Sequence, residues 1–196
     1  MDWNKYEIFR NHITNLKETS LDESGGQKVY MTQSLRPAIN FDGVKEDYIK
    51  NLELSEFPKS NDALMEEGDG TPVFVEFKNG FMDRAKQVGL RKKIYDSVLI
   101  FTDITSARIS DMRKNMKYIL VYNEGVNQTN NLDETLKKKQ RNMVQPSVSF
   151  DSFAKKIGQY AKSEYICFGL TIFKNYCFKE VHTFTETEFE KYLSDL

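Results

Sequence analysis

Apolar positions in the first third of the chain repeat at helical intervals in two places. Residues 3–18 predict an amphipathic helix, because apolar side chains recur there every three or four positions: Tyr6, Phe9, Ile13 and Leu16. A polar, glycine-containing segment, TSLDESGGQ, ends that helix. A second helix is predicted over about 44–54, with Asp42 near its start, and a short extended segment over 54–57 follows it.

Two apolar runs, a glycine-rich turn and a long helix make up the middle of the chain. The stretch NDALMEEGDGTPVFVEFKNG, residues 61–80, has the pattern of a β-hairpin. Asp83 is placed to cap a helix over about 84–101, whose apolar stripe is Leu90, Ile94, Val98 and Phe101. The run KYILVYN, residues 117–123, has the length and composition of a strand that is covered on both faces.

The remainder of the chain predicts loops, helices and a second hairpin. A loop, EGVNQTNN, follows residue 123, and helices are predicted for LDETLKKKQRN and for residues 150–162. Residues 167–173 and 177–183 predict the second hairpin, along which Cys167 and Cys177 are offset too far to bridge. Thr185 and Glu188 have the spacing of a capping box and predict a final helix.

The order strand, strand, helix, strand in residues 61–123 predicts an α/β fold in a single domain. The chain has 196 residues, of which 39% are hydrophobic, which is enough to bury a sizeable core. No run approaches the roughly 18 apolar residues of a membrane span, and the N-terminus lacks a signal-peptide core, so we expect a cytoplasmic protein. Two cysteines are too few for a disulfide scaffold or a four-ligand zinc site.

Charge is segregated along the chain although the net charge is only -1. Nine acids fall between Asp42 and Asp69, against three lysines, whereas five basic residues and no acid fall between Arg84 and Lys93. Acids that hold a cation beside bases that hold phosphates are typical of a metal-dependent enzyme acting on a polyanion. Ordinary solvated helix faces explain each basic run taken singly.

The register of the hairpin decides whether Asp62 and Glu76 face each other. Side chains alternate along a strand, so Glu76 and Lys78 share one face, and Val73, Val75 and Phe77 share the other. A two-residue loop at 68–69 would pair Asp62 with Val75, and a three-residue loop at 68–70 would pair it with Glu76. Gly70 suits the left-handed third position of the longer loop and favours the second register.

Two opposed carboxylates repel each other unless a positive charge lies between them. A divalent cation would remove that repulsion, and Mg²⁺ or Mn²⁺ suits a site made of oxygens without Cys or His. Lys78, on the same face, could then assist an attacking water or stabilise charge on a phosphate. The alternative is a solvated ion pair, in which Glu76 and Lys78 contribute only about 0 to 1 kcal/mol and no chemistry.

With Asp62 opening one strand, Glu76-Phe77-Lys78 on the next and a long helix after it, the segment over about 42–123 resembles the core of the PD-(D/E)XK nuclease superfamily. The resemblance implies a restriction-endonuclease-like fold, a mixed central sheet flanked by helices. The N-terminal helix and a C-terminal hairpin and helix would extend it. It also implies that Asp62 and Glu76 bind Mg²⁺ or Mn²⁺ and that Lys78 supports the nucleophilic water. Asn61 stands where that motif commonly has proline.

The family often adds a residue from each neighbouring helix. By that resemblance Glu46 is the auxiliary acid, in competition with Asp47 and Glu53, and Gln87 or Lys93 is the auxiliary residue from the following helix. Phosphate contacts are assigned to the basic residues of the same helix, namely Arg84, Arg91 and Lys92.

The resulting expectation is a divalent-metal-dependent nuclease that hydrolyses DNA phosphodiester bonds, by resemblance as a homodimer. The weak overall charge and Asn61 favour an alternative, a non-catalytic binding protein such as an immunity, antitoxin or accessory partner. A third hypothesis is cleavage of RNA by the same residues. Only a comparison of DNA and RNA substrates separates it from the first hypothesis, cleavage of DNA.

Overall fold

A six-stranded sheet forms the centre of the molecule. The structure is a computed structural model that describes residues 3–127 and 166–196. The six strands of the sheet are β1 (Ile13–Asn15), β4 (Pro37–Asn40), β5 (Ala63–Glu66), β6 (Pro72–Lys78), β7 (Lys117–Tyr122) and β8 (Glu180–Thr185). A separate antiparallel pair is made by β2 (Leu21–Asp22) and β3 (Val29–Tyr30).

Helices flank this sheet. The α-helices of the described ranges are α1 (Glu7–Arg10), α2 (Leu16–Thr19), α3 (Phe41–Ile49), α4 (Arg84–Thr105), α5 (Ile109–Asn115), α6 (Glu124–Asn127) and α7 (Glu186–Ser194). Two single turns of 3₁₀-helix, Trp3–Lys5 and Leu170–Phe173, complete them. No helix in these ranges is long and apolar enough to cross a membrane.

The sheet is mixed, in the order β1-β4-β5-β6-β7-β8. Its first four strands pair antiparallel, and β6, β7 and β8 run parallel. The α4 helix connects β6 to β7, which is the crossover that a parallel pair requires. The predicted α/β class, with a mixed central sheet flanked by helices, is confirmed.

Each face of the sheet is covered by its own apolar cluster. On one face, Leu64, Phe74 and Leu120 pack with residues of α3 and α4. On the other face, apolar residues of β5, β6 and β7 pack with Leu16 of α2 and with Phe189 and Leu193 of α7. The central side chains of β6 and β7 are therefore buried on both faces, and the prediction of a doubly covered strand over 117–123 is confirmed.

The hairpin of β5 and β6 has the register that the three-residue loop predicts. Ala63 is paired with Val75 and Glu66 with Pro72, and Glu67 N donates to the Thr71 carbonyl (3.0 Å). Gly70 has φ 83°, the left-handed conformation expected at the last loop position. Extension of this register by one residue places Asp62 opposite Glu76.

The long helix after the hairpin is confirmed and extends to Thr105. Asp83 caps it, because its side chain accepts a hydrogen bond from Lys86 N (2.8 Å). All four residues of the predicted stripe, Leu90, Ile94, Val98 and Phe101, are buried in the cluster between α4 and the sheet. This packing fixes the rotation of α4, and so determines which polar side chains of the helix face β5 and β6.

The predicted helix over 3–18 is wrong. The chain forms the short helices α1 and α2 there, with β1 between them, because Ile13, Thr14 and Asn15 pair with β4 at the edge of the sheet. Pairing with a distant strand overrides a helical pattern that local spacing alone suggests. The second predicted helix exists as α3, but it begins at Phe41, earlier than expected, and ends at Ile49.

Two predicted extended segments are also wrong. Residues 54–57 form no strand, and Leu54 and Phe57 are exposed. In place of the second hairpin the structure has a 3₁₀ turn at Leu170–Phe173 and the single strand β8, which pairs in parallel with β7. Phe168, Gly169 and Asn175 adopt left-handed backbone conformations, which interrupt an extended chain.

The remaining predictions for the second half have mixed outcomes. Cys167 and Cys177 are buried and unbridged, although the hairpin from which that expectation was drawn does not form. Residues 124–127 form α6 although a loop was expected. The rest of that loop and the helices predicted for LDETLKKKQRN and for residues 150–162 lie outside the described residues.

The capping box at the start of α7 is present as predicted. Thr185 N donates to Glu188 Oε2 (2.8 Å), and Glu188 N donates to Thr185 Oγ1 (3.3 Å). We expect Thr185→Ala to lower the free energy of unfolding by about 1 kcal/mol, because one helical N–H loses its acceptor. Urea denaturation measures this loss. Thr185→Ser keeps the hydroxyl and should retain most of the stability; an equal loss in both variants would argue against the cap.

Candidate active site

Two carboxylates meet at the ends of adjacent strands, on the face of the sheet that α4 covers. Asp62 directly precedes β5, and Glu76 lies near the end of β6, opposite it in the hairpin register. The Glu76 side chain is fully buried, and that of Asp62 is 16% exposed. The sequence prediction that these two acids converge is confirmed.

Two lysines lie against this carboxylate pair. Lys93 Nζ, from α4, lies 2.7 Å from Glu76 Oε1 and 2.9 Å from Asp62 Oδ1. Lys78, two residues beyond Glu76 on the same strand face, donates a further hydrogen bond to Glu76 Oε1. One glutamate oxygen is thus shared by two ammonium groups, and the four side chains together are formally neutral.

Backbone hydrogen bonds hold the start of β5 in place. Phe77 N donates to Asp62 Oδ2 (2.7 Å), which leaves Asp62 Oδ1 directed at Lys93. Two side chains of α4 accept bonds from the segment that leads into the strand: Asn61 N donates to Ser97 Oγ (2.7 Å), and Lys59 N donates to Asp96 Oδ2 (2.8 Å). The same helix therefore supplies Lys93 and positions Asp62.

Burial and mutual charge shift the ionisation of this cluster. Burial raises the pKa of the Glu76 carboxyl above its ordinary value, and the charge of Asp62 raises it further, whereas Lys78 and Lys93 oppose the shift. Burial alone would lower the pKa of Lys93, but the charges of Glu76 and Asp62 outweigh it and raise that pKa. Lys93 is consequently held in its charged form.

Asp62 lines a cleft of about 790 Å³, and Glu76 lies buried behind Asp62 and does not line it. One wall is formed by residues of α2 and β2, and the other by the end of β6 and the first three turns of α4. Four acids line the cleft, Asp22, Asp42, Asp62 and Asp83, and four lysines, Lys59, Lys78, Lys86 and Lys93. The lining is balanced in charge, so the cleft combines a carboxylate site with several ammonium groups that could meet an anion.

The structure brings one of the proposed auxiliary residues to the carboxylates and leaves the others apart. Lys93 contacts both acids, whereas Gln87 donates from Nε2 to the Met82 carbonyl (3.1 Å) and does not line the cleft. Glu46 is exposed, pairs with Lys45 (2.6 Å) and does not line the cleft either. Its competitors are also apart, with Asp47 bonded to His12 and Glu53 exposed. Asp42 is the acid of α3 that lines the cleft.

The three predicted phosphate contacts lie on other sides of α4. At about 100° per residue, Arg84 and Arg91 lie about 180° and 200° around the helix from Lys93. Arg91 donates to the Gly169 carbonyl (3.3 Å), and Lys92 lies 3.9 Å from Glu56. Neither these two nor Arg84 lines the cleft, where Lys86 faces the same side as Lys93.

The wall of the cleft that carries Asp22 was not among the predicted parts of the site. Asn79 Nδ2, at the end of β6, donates to Asp22 Oδ2 (2.9 Å), and Asn123 Nδ2 donates to Asn79 Oδ1 (2.7 Å). Hydrogen bonds from Ser24 and then Asn79 lower the pKa of Asp22. The sequence around Asp22 has only the features of a turn, and no local signal indicates this long-range contact.

The donor set at the carboxylate pair suits a hard divalent cation. Two carboxylate oxygens already converge on one cationic nitrogen, and Mg²⁺ is usually held by one or two carboxylates together with waters and substrate phosphates. Within residues 3–127 and 166–196, no group of three or more His, Cys, Asp or Glu side chains could hold a metal ion. Asp62 and Glu76 are the residues that would hold such a cation, near the position of Lys93 Nζ.

No protein-family model, curated protein or solved structure matches this chain. The assignment of a function therefore depends on the geometry and chemistry of the cleft.

Proposed function

We propose that this chain is a divalent-metal-dependent nuclease that hydrolyses DNA phosphodiester bonds, on a fold similar to that of the restriction endonucleases. The supporting observation is that Asp62, which lines an open cleft, and the buried Glu76 behind it converge on the Lys93 ammonium, with Lys78 bonded to the same Glu76 oxygen. Two acids and a lysine in this arrangement can hold a cation and assist a water molecule at one phosphate.

Each residue of the cluster has a role in this proposal. Asp62 and Glu76 hold Mg²⁺ or Mn²⁺, which when bound supplies the Lewis acidity that polarises a phosphodiester. Lys78 is 25% exposed, enough to reach a substrate oxygen, and it orients the attacking water or stabilises charge that develops on the phosphate. Lys93 neutralises both acids when no metal is bound, and so keeps the site folded before the cation arrives.

For contacts to the substrate backbone, lysines that line the cleft take the place of Arg84, Arg91 and Lys92. Lys59 and Lys86 line the cleft together with Lys78. Neutralisation of phosphates by lysine releases counterions and gives binding that weakens as salt rises. With equal numbers of acids and lysines in the lining, we expect modest affinity for the polyanion and specificity that comes from the chemistry at Asp62 and Glu76.

One observation favours a second candidate, a binding protein with this arrangement and no catalysis. The Lys93 ammonium bonds one oxygen of each carboxylate, as it would in a purely structural ion-pair cluster. Calorimetric titration with Mg²⁺ and Mn²⁺ separates the two candidates. Binding that is lost in Asp62→Asn supports the nuclease, and an absence of binding to the wild-type protein supports the structural cluster.

Cleavage is tested by incubating the purified chain with labelled single-stranded DNA, duplex DNA and RNA in Mn²⁺, Mg²⁺ or a chelator. We expect cleavage of DNA that requires the metal ion and is lost in Asp62→Asn and Glu76→Gln, because each variant removes a charged ligand. Gel electrophoresis of the products measures it. Cleavage of RNA alone would change the substrate assignment, and full activity in both variants would reject the site.

A further inference from the structure

Two of the buried polar atoms that have no hydrogen-bond partner in residues 3–127 and 166–196 belong to the adjacent strands β6 and β7. They are Glu76 Oε2 and the hydroxyl of Tyr118. Both side chains are fully buried, and a buried polar group left unpaired costs the whole of its desolvation energy. Native proteins satisfy the great majority of such atoms with protein or ordered water.

The sheet register makes Glu76 and Tyr118 neighbours on adjacent strands. Tyr118 pairs with Phe74 and Leu120 pairs with Glu76 across the parallel strands β6 and β7, so Tyr118 is the diagonal neighbour of Glu76. Tyr118 lies in the cluster under α4, on the same face as Glu76. Neighbouring strands lie about 4.8 Å apart and two residues rise about 6.6 Å along a strand, so the backbones of these diagonal neighbours lie about 8 Å apart, within reach of long side chains.

Chemical complementarity supports a link between the two atoms. Burial, with the charges of Glu76 and Asp62, keeps the pKa of Tyr118 well above its ordinary value. The hydroxyl therefore retains its proton and can donate. Glu76 Oε2 can only accept while the carboxyl is ionised, and Glu76 Oε1 is already occupied by Lys78 and Lys93.

We propose that Tyr118 is a positioning residue that holds Glu76 Oε2 through one buried water molecule. With Oε2 fixed toward Tyr118, Oε1 is left facing Asp62 and the two lysines, where the cation would bind. Partners in the second shell of a metal ligand commonly change metal affinity by 10-fold or more when they are removed. The hydrogen-bonded link does not depend on catalysis, whereas its effect on a metal ion rests on the proposed function.

The structural part is tested by a high-resolution crystal structure and by Tyr118→Phe. We expect a water within hydrogen-bond distance of both Tyr118 Oη and Glu76 Oε2. In Tyr118→Phe we expect the side-chain carboxyl ¹³C resonance of Glu76 to shift and the thermal midpoint to fall. If the hydroxyl were unpaired, its removal would leave the midpoint unchanged or raise it. That result, with an unmoved Glu76 resonance, would overturn the proposal.

The functional part is tested by calorimetric titration of Tyr118→Phe with Mn²⁺. We expect the Mn²⁺ Kd to rise about 10-fold. Tyr192→Phe is the matched control, because it removes another tyrosine hydroxyl that bonds a glutamate, Glu67, on the opposite face of the sheet. It should leave Kd unchanged, and equal effects in both variants would refute a positioning role. Failure of the wild-type chain to bind Mn²⁺ would refute the metal site. The shift of the Glu76 resonance would still test the water-mediated hydrogen bond between Tyr118 and Glu76.

Discussion

Replacement of Lys93 with methionine should destabilise the metal-free protein by about 3 kcal/mol, the cost of breaking a buried ion pair by removing one partner. Lys93 Nζ is the group that lies between Asp62 and Glu76, and Lys78 contacts only the latter. Methionine fills a similar volume without charge. The loss of stability therefore measures the repulsion between the two carboxylates that are left facing each other. Urea denaturation in the presence of a chelator measures it.

Added Mn²⁺ should restore much of that stability if the carboxylate pair is a metal site. A ligand that binds only the folded state stabilises it by about 2.7 kcal/mol at a concentration 100 times its Kd. We also expect Lys93→Met to bind Mn²⁺ more tightly than the wild type, because no ammonium has to be displaced.

Lys92→Met is the matched control for Lys93. Lys92 is adjacent on α4, but its side chain is 47% exposed and its nearest acid, Glu56, lies 3.9 Å away. Surface pairs of this kind contribute about 0 to 1 kcal/mol, so stability should hardly change. A Lys93→Met protein as stable as Lys92→Met would show that the carboxylates need no cation.

The hairpin at the centre of the site could be predicted because its determinants are local. Gly70 sets the loop length, the loop length sets the register, and the register places Asp62 opposite Glu76. The apolar stripe of α4 could be predicted for the same reason, since helical spacing within one segment identifies its buried face.

Residues that depend on contacts between distant segments could not be predicted in this way. The assignment of phosphate contacts to Arg84, Arg91 and Lys92 followed from the clustering of basic residues along the sequence. The rotation of α4 instead directs Lys86 and Lys93 toward the cleft. Lys59 and Asp22 reach the cleft from segments without a helical or strand pattern. Their positions follow from hydrogen bonds to Asp96 and Asn79, which no local signal in the sequence reveals.

For the proposed nuclease, replacement of Lys78 with methionine should reduce kcat for DNA cleavage by about 10² to 10³-fold, the effect of removing one donor that stabilises charge developing in the transition state. Lys78 bonds Glu76 and is partly exposed to the cleft, so it can reach a substrate oxygen without leaving the carboxylate. Mn²⁺ affinity should change less than kcat, because Asp62 and Glu76 both remain. Steady-state kinetics with a labelled DNA substrate, combined with calorimetry, separate the two quantities.

Lys86→Met distinguishes chemistry at Lys78 from simple attraction of phosphate. Lys86 lines the same cleft, and it is exposed on the first turns of α4. We expect its loss to raise KM and to leave kcat largely unchanged. The slope of log binding constant against log salt concentration should become shallower by about 1, the contribution of one phosphate contact. If Lys78→Met changed only KM and the salt dependence, as Lys86→Met should, Lys78 would bind the backbone of the substrate and the catalytic role would belong elsewhere in the cleft.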